Sequence, residues 1–218
     1  MTLSSSFKSV SFLAKAVIVS LLILVCASVA HCQDTTYHEA SYTAHFRKSL
    51  KQPTFVTYTL YKAGGECSRA GDRFKGTYLT VKQSDYDHSG YDEGHLADSK
   101  DFAYDCQAQE STFRFYNCVP QTPNLNRGIW KTWETKIRAE SQADSLLVIC
   151  GGVDFVKVKS LYVPTYCFKI VENLHTQIVT HVLYCTNNSN ATCDEVDIAV
   201  VYDRLDPEIA TEIEKEIK

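Results

Sequence analysis

Ser89-Gly90-Tyr91-Asp92-Glu93-Gly94-His95-Leu96, followed by Asn117-Cys118-Val119-Pro120-Gln121 and Asn126-Arg127-Gly128-Ile129-Trp130, is the part of the chain on which its reading depends. A histidine follows a glycine-containing turn, two asparagines come after it, and the second opens an amphipathic stretch that carries Glu134. A single histidine says little, because most are core or surface residues. The ordered set says more. An imidazole that titrates near neutrality can take a proton from water, and the Asn126 amide offers a neutral oxygen suited to a hard cation that keeps most of its waters. Asn126 is also a natural helix cap.

Working outward, Ile129, Trp130, Trp133 and Ile137 recur at helical spacing, with Lys131, Lys136, Arg138 and Glu140 off the stripe. Both tryptophans therefore read as core rather than as stacking platforms. Glu134 lies eight positions beyond Asn126, roughly 12 Å of rise in a regular helix. It is expected to act through water, not as a second direct ligand. Its bland counterpart is a solvated carboxylate on the helix face.

Strands are expected at 55–61, at 78–81, at 146–150 ended by Gly151-Gly152, at 166–171 and 177–185 as neighbours, and at 196–201. A short helix is expected within 107–115. Asp206-Pro207 reads as cap and first residue of a final helix whose stripe is Ile209, Ile213 and Ile217. This order implies an α+β fold with a mainly antiparallel sheet. Residues 31–50 are expected to be an extended arm and 51–218 one domain.

Lys8 and Lys15 precede an uncharged run, 16–30, that is short for a membrane span. With small residues at Ser28-Val29-Ala30 it reads as a secretory signal, residues 1–30, cut after Ala30 or after Cys32. A secreted chain with no stable membrane association is expected. The first cut retains eight cysteines, several expected in disulfides. No Cys-x-x-Cys spacing suggests a metal site. The sequons Asn187-Asn188-Ser189 and Asn190-Ala191-Thr192 lie between Cys185 and Cys193, in what reads as an exposed, disulfide-closed loop.

Without Lys8 and Lys15 the chain carries 20 basic and 26 acidic side chains, a balance of −6 that does not favour a phosphate backbone. The charge is segregated. Residues 47–75 carry seven basic groups against two acids, and 85–110 carry eight acids against Lys100.

The motifs resemble those of the DNA/RNA non-specific endonuclease family, whose site is the ββα-metal or His-Me finger. Its pattern of Asp-Arg-Gly-His, Asn-x-x-Pro-Gln and Asn-x-Gly-x-Trp-x-x-x-Glu stands here as Asp92-Glu93-Gly94-His95, Asn117 to Gln121, and Asn126 to Glu134. The resemblance covers about residues 53–202. It implies phosphodiester hydrolysis of DNA and/or RNA with 5′-phosphate products. His95 would be the general base and Asn126 the direct ligand of Mg²⁺, with Mn²⁺ as an alternative. Asn117 would orient His95, Glu134 would act through water on the metal, and Asp92 would shape the local hydrogen bonding. An arginine of the basic segment, Arg69 or Arg73 with Arg69 preferred, would contact substrate phosphate. Glu93 departs from the pattern, because a carboxylate replaces a phosphate-binding arginine. That departure supports a second reading, a catalytically impaired secreted binding protein of the same fold.

Overall fold

The computed structural model describes residues 34–217. The expected signal segment, Cys26 and Cys32 lie outside them. The main sheet has seven strands: β1 (Asp34–His38), β2 (Thr43–Arg47), β3 (Gln52–Leu60), β6 (Leu146–Val158), β7 (Leu161–Asn173), β8 (Ile178–Thr186) and β9 (Cys193–Glu195), adjacent in that order. From β2 onward each neighbouring pair is antiparallel. A second sheet pairs β4 (Asp92–His95) with β5 (Cys118–Gln121). The helices are α1 (Gln83–Tyr86), α2 (Cys106–Ser111), α3 (Lys131–Glu140), α4 (Ile198–Tyr202) and α5 (Pro207–Glu216). This is the α+β arrangement with an antiparallel sheet.

Alternation along the central strands builds two cores, one per face. Val56, Tyr58, Val148, Cys150 and Val171 point to the side that also holds Leu96, Val119, Trp130 and Ile137. Phe55, Leu147, Ile149, Phe168 and Ile170 point to the other, covered by Val201, Ile209 and Ile213 of α4 and α5. Burial on both faces is why 146–150 and 166–171 read as continuous apolar runs.

Four expectations are corrected. Residues 31–50 do not form an arm in their described part. Ala44 and Phe46 of β2 point into the core while Thr43, His45 and Arg47 alternate outward, and that alternation reads as polar in sequence. Gly151-Gly152 does not end β6. A Cβ at Gly151 would lie 2.1 Å from the Thr54 carbonyl oxygen, so these glycines admit a neighbouring strand instead of a turn. The expected strand at 78–81 is a turn, because the Thr80 hydroxyl accepts from the Thr77 backbone N–H and donates to its carbonyl. The expected strand at 196–201 is largely α4, capped by the Asp197 side chain on the Ala199 N–H at 2.9 Å.

The helix expected from Asn126 is interrupted. Leu125–Trp130 is a π-helical turn with non-helical torsions at Gly128, and the α-helix begins at Lys131. Asn126 therefore does not cap it. Asp206 precedes Pro207 as expected, but its carboxylate pairs with Arg47 rather than with the helix. No helix among the described residues is long and apolar enough to cross a membrane.

Candidate active site

His95 ends β4, so Gly94 belongs to a strand and not to the expected turn. The turn lies earlier, where His88 and Gly90 have positive φ. Gly94 pairs with Val119 and makes room for the buried Gln121 side chain: a Cβ there would sit 2.2 Å from Gln121 Oε1. Pairing with Cys118 fixes His95 across the small sheet. Asn117 is fully buried and does not touch the imidazole. Its Oδ1 accepts from Ala97 N at 2.9 Å, and its Nδ2 donates to Ala97 O at 3.0 Å and Thr112 O at 2.9 Å. It holds the backbone just beyond His95, and so acts on the ring only through the chain.

The His95 ring packs between Phe74 and Phe113, with centroids 4.7 and 4.8 Å away, and is 8% exposed. Its buried Nε2 has no hydrogen-bond partner. Burial pulls its pKa down to about 4, with Arg69 adding to the fall and Asp98 opposing it. The imidazole is neutral at pH 7.

Asp92 joins this strand to the π-turn. It accepts from Asn126 Nδ2 at 3.0 Å and from Arg127 Nε and Nη2 at 2.7 and 2.6 Å. Partial burial would raise its pKa, but the Arg127 and Asn126 hydrogen bonds lower it overall. With the amide nitrogen committed to Asp92, Asn126 has its Oδ1 left for a ligand.

Below lies a second ionic cluster. Arg138 pairs with Asp98 and, at 2.7 Å, with Asp101. Lys169 is 1% exposed, with Nζ 4.6 Å from the Trp130 ring centroid. Burial, then Asp98 and Asp101, hold the Glu134 carboxyl well above its usual range, although Lys169 and Arg138 pull it down. Asp101 is pushed up to about 7 by burial and Asp98. Lys169 is raised despite burial because Cys150, Glu134 and the two aspartates favour its charge. Asp98, Asp101, Arg138 and Lys169 escape the sequence reading. The available signals were Arg138 one turn after Glu134, and a lysine inside a strand buried on both faces.

A cleft of about 640 Å³ is lined by His95, Asp92, Glu93, Asn126, Glu134 and Arg69, among others. The proposed site residues thus share one cavity, apart from Asn117, which lies behind it. Asn126 and Glu134 both reach it although a kink separates them. Arg73 does not line it; its Nη1 donates to the Asp72 carbonyl. Nor does the basic segment as a whole: Arg47 pairs with Asp206, Lys75 with Glu110, and Lys62 lies over Tyr61. Lys100, Arg127, Lys131 and Arg138 supply the other cations. The acidic segment is largely consumed internally, with Asp85 and Asp105 capping helices and Glu110 bound to Lys75. Glu93 does face the cleft, accepting from Gln83 Nε2 at 2.5 Å.

Among the described residues no group of three or more His, Cys, Asp or Glu could hold a metal ion. A soft or fully protein-caged metal is therefore a poor match. The neutral Asn126 oxygen, in a cleft it shares with Asp92 and Glu134, suits a hard divalent cation that keeps its waters.

Trp130 is fully buried, and Trp133 is partly buried between Lys136 and His181. Among the described residues two disulfides form, Cys67–Cys106 and Cys185–Cys193, the second closing the sequon loop. Cys118, Cys150 and Cys167 are buried thiols, and burial raises the latter two to about 11 and 12. The loop tip, 188–190, is exposed as expected, and Asn187 is the exception. Asn187 is 8% exposed, with Nδ2 donating to Pro120 O at 2.9 Å and Pro164 O at 2.8 Å, whereas Asn190 is exposed.

Residues 28–205 match the family model described as DNA/RNA non-specific endonuclease. A human protein described as Endonuclease G, mitochondrial, is 27% identical over 117 residues, 53% of this chain and 39% of that protein. A Nostoc protein described as Nuclease is 37% identical over 75 residues, 34% of this chain and 27% of that protein. The matched stretch is thus well under half of either relative. A solved structure described as "Crystal structure of the EndoG/EndoGI complex: Mechanism of EndoG inhibition" shares the fold, with a TM-score of 0.68 at 21% identity over 78% of this chain and 83% of that chain.

Proposed function

The chain belongs to the DNA/RNA non-specific endonuclease family, and we propose that it is a secreted, divalent-metal-dependent endonuclease that hydrolyses phosphodiester bonds of DNA and/or RNA, leaving 5′-phosphates. The observation that carries this reading is the buried, neutral imidazole of His95 sharing a cleft with an Asn126 whose amide nitrogen is tied down by Asp92.

His95 takes the proton of the attacking water, and its low pKa keeps it in the accepting form throughout the neutral range. Phe74 and Phe113 fix the ring plane and keep bulk water from it. Asp92 aims Asn126 at the cleft, and Asn126 would hold Mg²⁺ or Mn²⁺, with Glu134 reaching it through water. When bound, the cation would draw charge from the phosphate and offset the charge developing on the leaving oxygen. Asn117 keeps His95 in register by clamping Ala97. Arg69, hydrogen-bonded to Ser99 Oγ at 3.2 Å on the cleft wall, meets a substrate phosphate.

The test is cleavage of plasmid DNA and of RNA with Mg²⁺, abolished by a chelator. His95→Ala should slow it by about 10²–10⁴-fold. Because the base must be unprotonated, kcat/KM should be lost as pH falls through about 4, not through 6.5. Wild type and His95→Ala equally inert over Mg²⁺ and Mn²⁺ series would rule the reading out.

Glu93 motivates a second reading, a binding protein with an impaired site. If Glu93→Arg turns an inert protein into a nuclease, that reading holds; vigorous wild-type cleavage removes it. The secretory route is supported by the sequence of residues 1–30 and by two disulfides, which persist in oxidising compartments. On that route the glycan belongs on Asn190, since both hydrogens of the Asn187 amide are engaged. Peptide mass spectrometry of protein secreted from a eukaryotic host checks this; a sugar on Asn187 would contradict it.

A further inference from the structure

We propose that Arg127 is a phosphate-gripping residue of this cleft, supplying from the π-turn the guanidinium contact that Glu93 cannot make from β4. This rests on the nuclease reading and goes further by naming a substrate contact that neither the motifs nor the relatives assign.

The other cations facing the cleft are less free or less fixed. Arg138 is spent on Asp98 and Asp101, with 16% of its side chain exposed. Lys100 gives Nζ to the Gly65 carbonyl at 2.5 Å. Arg69 bonds Ser99 and lies over the Phe113 ring at 5.7 Å. Lys131 is exposed, on a flexible stem.

Arg127 combines exposure with fixation. Its side chain is 71% exposed, yet Nε and Nη2 are locked on the two oxygens of Asp92. That fork sets the guanidinium plane and turns the Nη1 edge outward, where it makes no hydrogen bond to the described residues. The same carboxylate holds Asn126 Nδ2. A phosphodiester brought to Asn126 therefore lies beside a donor already oriented on the shared anchor. Removing the guanidinium does double harm, since it takes away the donor and leaves Asp92 as an unpaired negative charge next to Glu93.

The experiment measures binding and turnover on a duplex oligonucleotide across a KCl series. Binding is followed by fluorescence anisotropy in a His95→Ala background with and without Arg127→Ala, and turnover in the wild-type background with Arg127→Ala. Losing one phosphate contact should lower the slope of log K against log [salt] by about 0.9 on duplex. The dissociation constant and KM should rise about tenfold, equivalent to about 1.4 kcal/mol, with kcat changing much less. Arg127→Lys should recover part of the affinity, because charge returns without the fork. Lys157→Ala, a charge deletion outside the cleft lining, should leave the slope unchanged. If Arg127 only steadies Asp92 and Asn126, Arg127→Ala would lower kcat and raise the Mg²⁺ requirement with the salt slope intact, and the proposal falls. A chain that binds duplex with the expected slope change but cleaves nothing keeps this assignment and loses the hydrolytic one. A chain that neither binds nor cleaves loses both.

Discussion

The cleft has two ionic clusters built from the same kinds of side chain, and they behave in opposite ways. At the rim, Asp92 sits against exposed Arg127, and its pKa is lowered. On the floor, Asp98 and Asp101 are buried with Arg138 and Lys169, Glu134 lies half-buried beside them, and Glu134 and Asp101 are raised. At the rim partial burial raises the Asp92 carboxyl, but three donor groups from Arg127 and Asn126 outweigh it. On the floor three carboxylates share two cations, and burial penalises every charge left over. The rim is therefore suited to exchanging partners with a ligand, and the floor to drawing in positive charge. A residue's role in this cleft follows from its depth more than from its type.

The sharpest way to break the contrast is to remove one cation from each cluster. Lys169→Met leaves two buried carboxylates and the half-buried Glu134 facing Arg138 alone and should destabilise the fold by about 3–5 kcal/mol. Arg127→Ala exposes its partner to water and should leave the unfolding midpoint almost unchanged, since exposed ion pairs contribute little. Urea unfolding at pH 7 compares them. Equal, small losses would mean that the floor carboxylates simply take up protons and that depth does not separate the clusters.

A smaller effect is expected from pH, where the two buried titrations oppose each other. His95 has a folded pKa of about 4, below its unfolded value near 6.5, so the unfolded chain binds more protons between those values. Its contribution to stability is thus present above pH 6.5 and is lost as pH falls towards 4. Asp101, at about 7 when folded, has the reverse sign: the folded chain binds more protons, and stability falls as pH rises from about 4 to 7. Each slope is at most about 1.4 kcal/mol per pH unit. Relative to wild type, His95→Phe should show stability falling more steeply with rising pH, and Asp101→Asn should show it climbing. Unfolding curves at pH 4.5, 5.5 and 6.5 decide it. Parallel curves for all three proteins would mean that these groups are not the ones titrating.

The same contrast explains what could be read in the sequence. The rim is nearly all local: Asp92 and His95 fall in one four-residue strand and Asn126 opens the next motif, so motif spacing exposes these three, whereas Arg127, next to Asn126, stands where the motif accepts any residue. The floor is assembled from β7, α3 and the segment after β4, and only the tertiary fold brings Lys169 under Trp130. Lys169 lies in a strand buried on both faces, which has no polar side to set the lysine apart. The central strands and the final helix were legible from apolar patterning, since burial drives them. The edges were not. β2 alternates with polar partners, the Thr77–Thr80 turn depends on hydroxyl hydrogen bonds, and the Leu125–Trp130 π-turn leaves no period in the side chains.

The finest test lies within the rim. Asp92→Asn keeps the shape of the side chain while removing the charge that holds Arg127 Nε and Nη2 and that accepts from Asn126. With the carboxylate 15% exposed and the guanidinium 71% exposed, stability should change by no more than about 1 kcal/mol. Function should move further than stability does. The asparagine can still accept one hydrogen bond but cannot grip a fork, so Arg127 swings free and Asn126 loses its fixed orientation. The Mg²⁺ concentration at half-maximal rate should rise, while thermal unfolding in the absence of metal shifts by only a few degrees. Arg127→Ala should change the salt slope, and Asp92→Asn chiefly the metal requirement, because one variant deletes a phosphate donor and the other loosens what orients the cation's ligand. If Asp92→Asn instead unfolds the protein as deeply as Lys169→Met, the rim is as structural as the floor, and the distinction between them has to be drawn elsewhere.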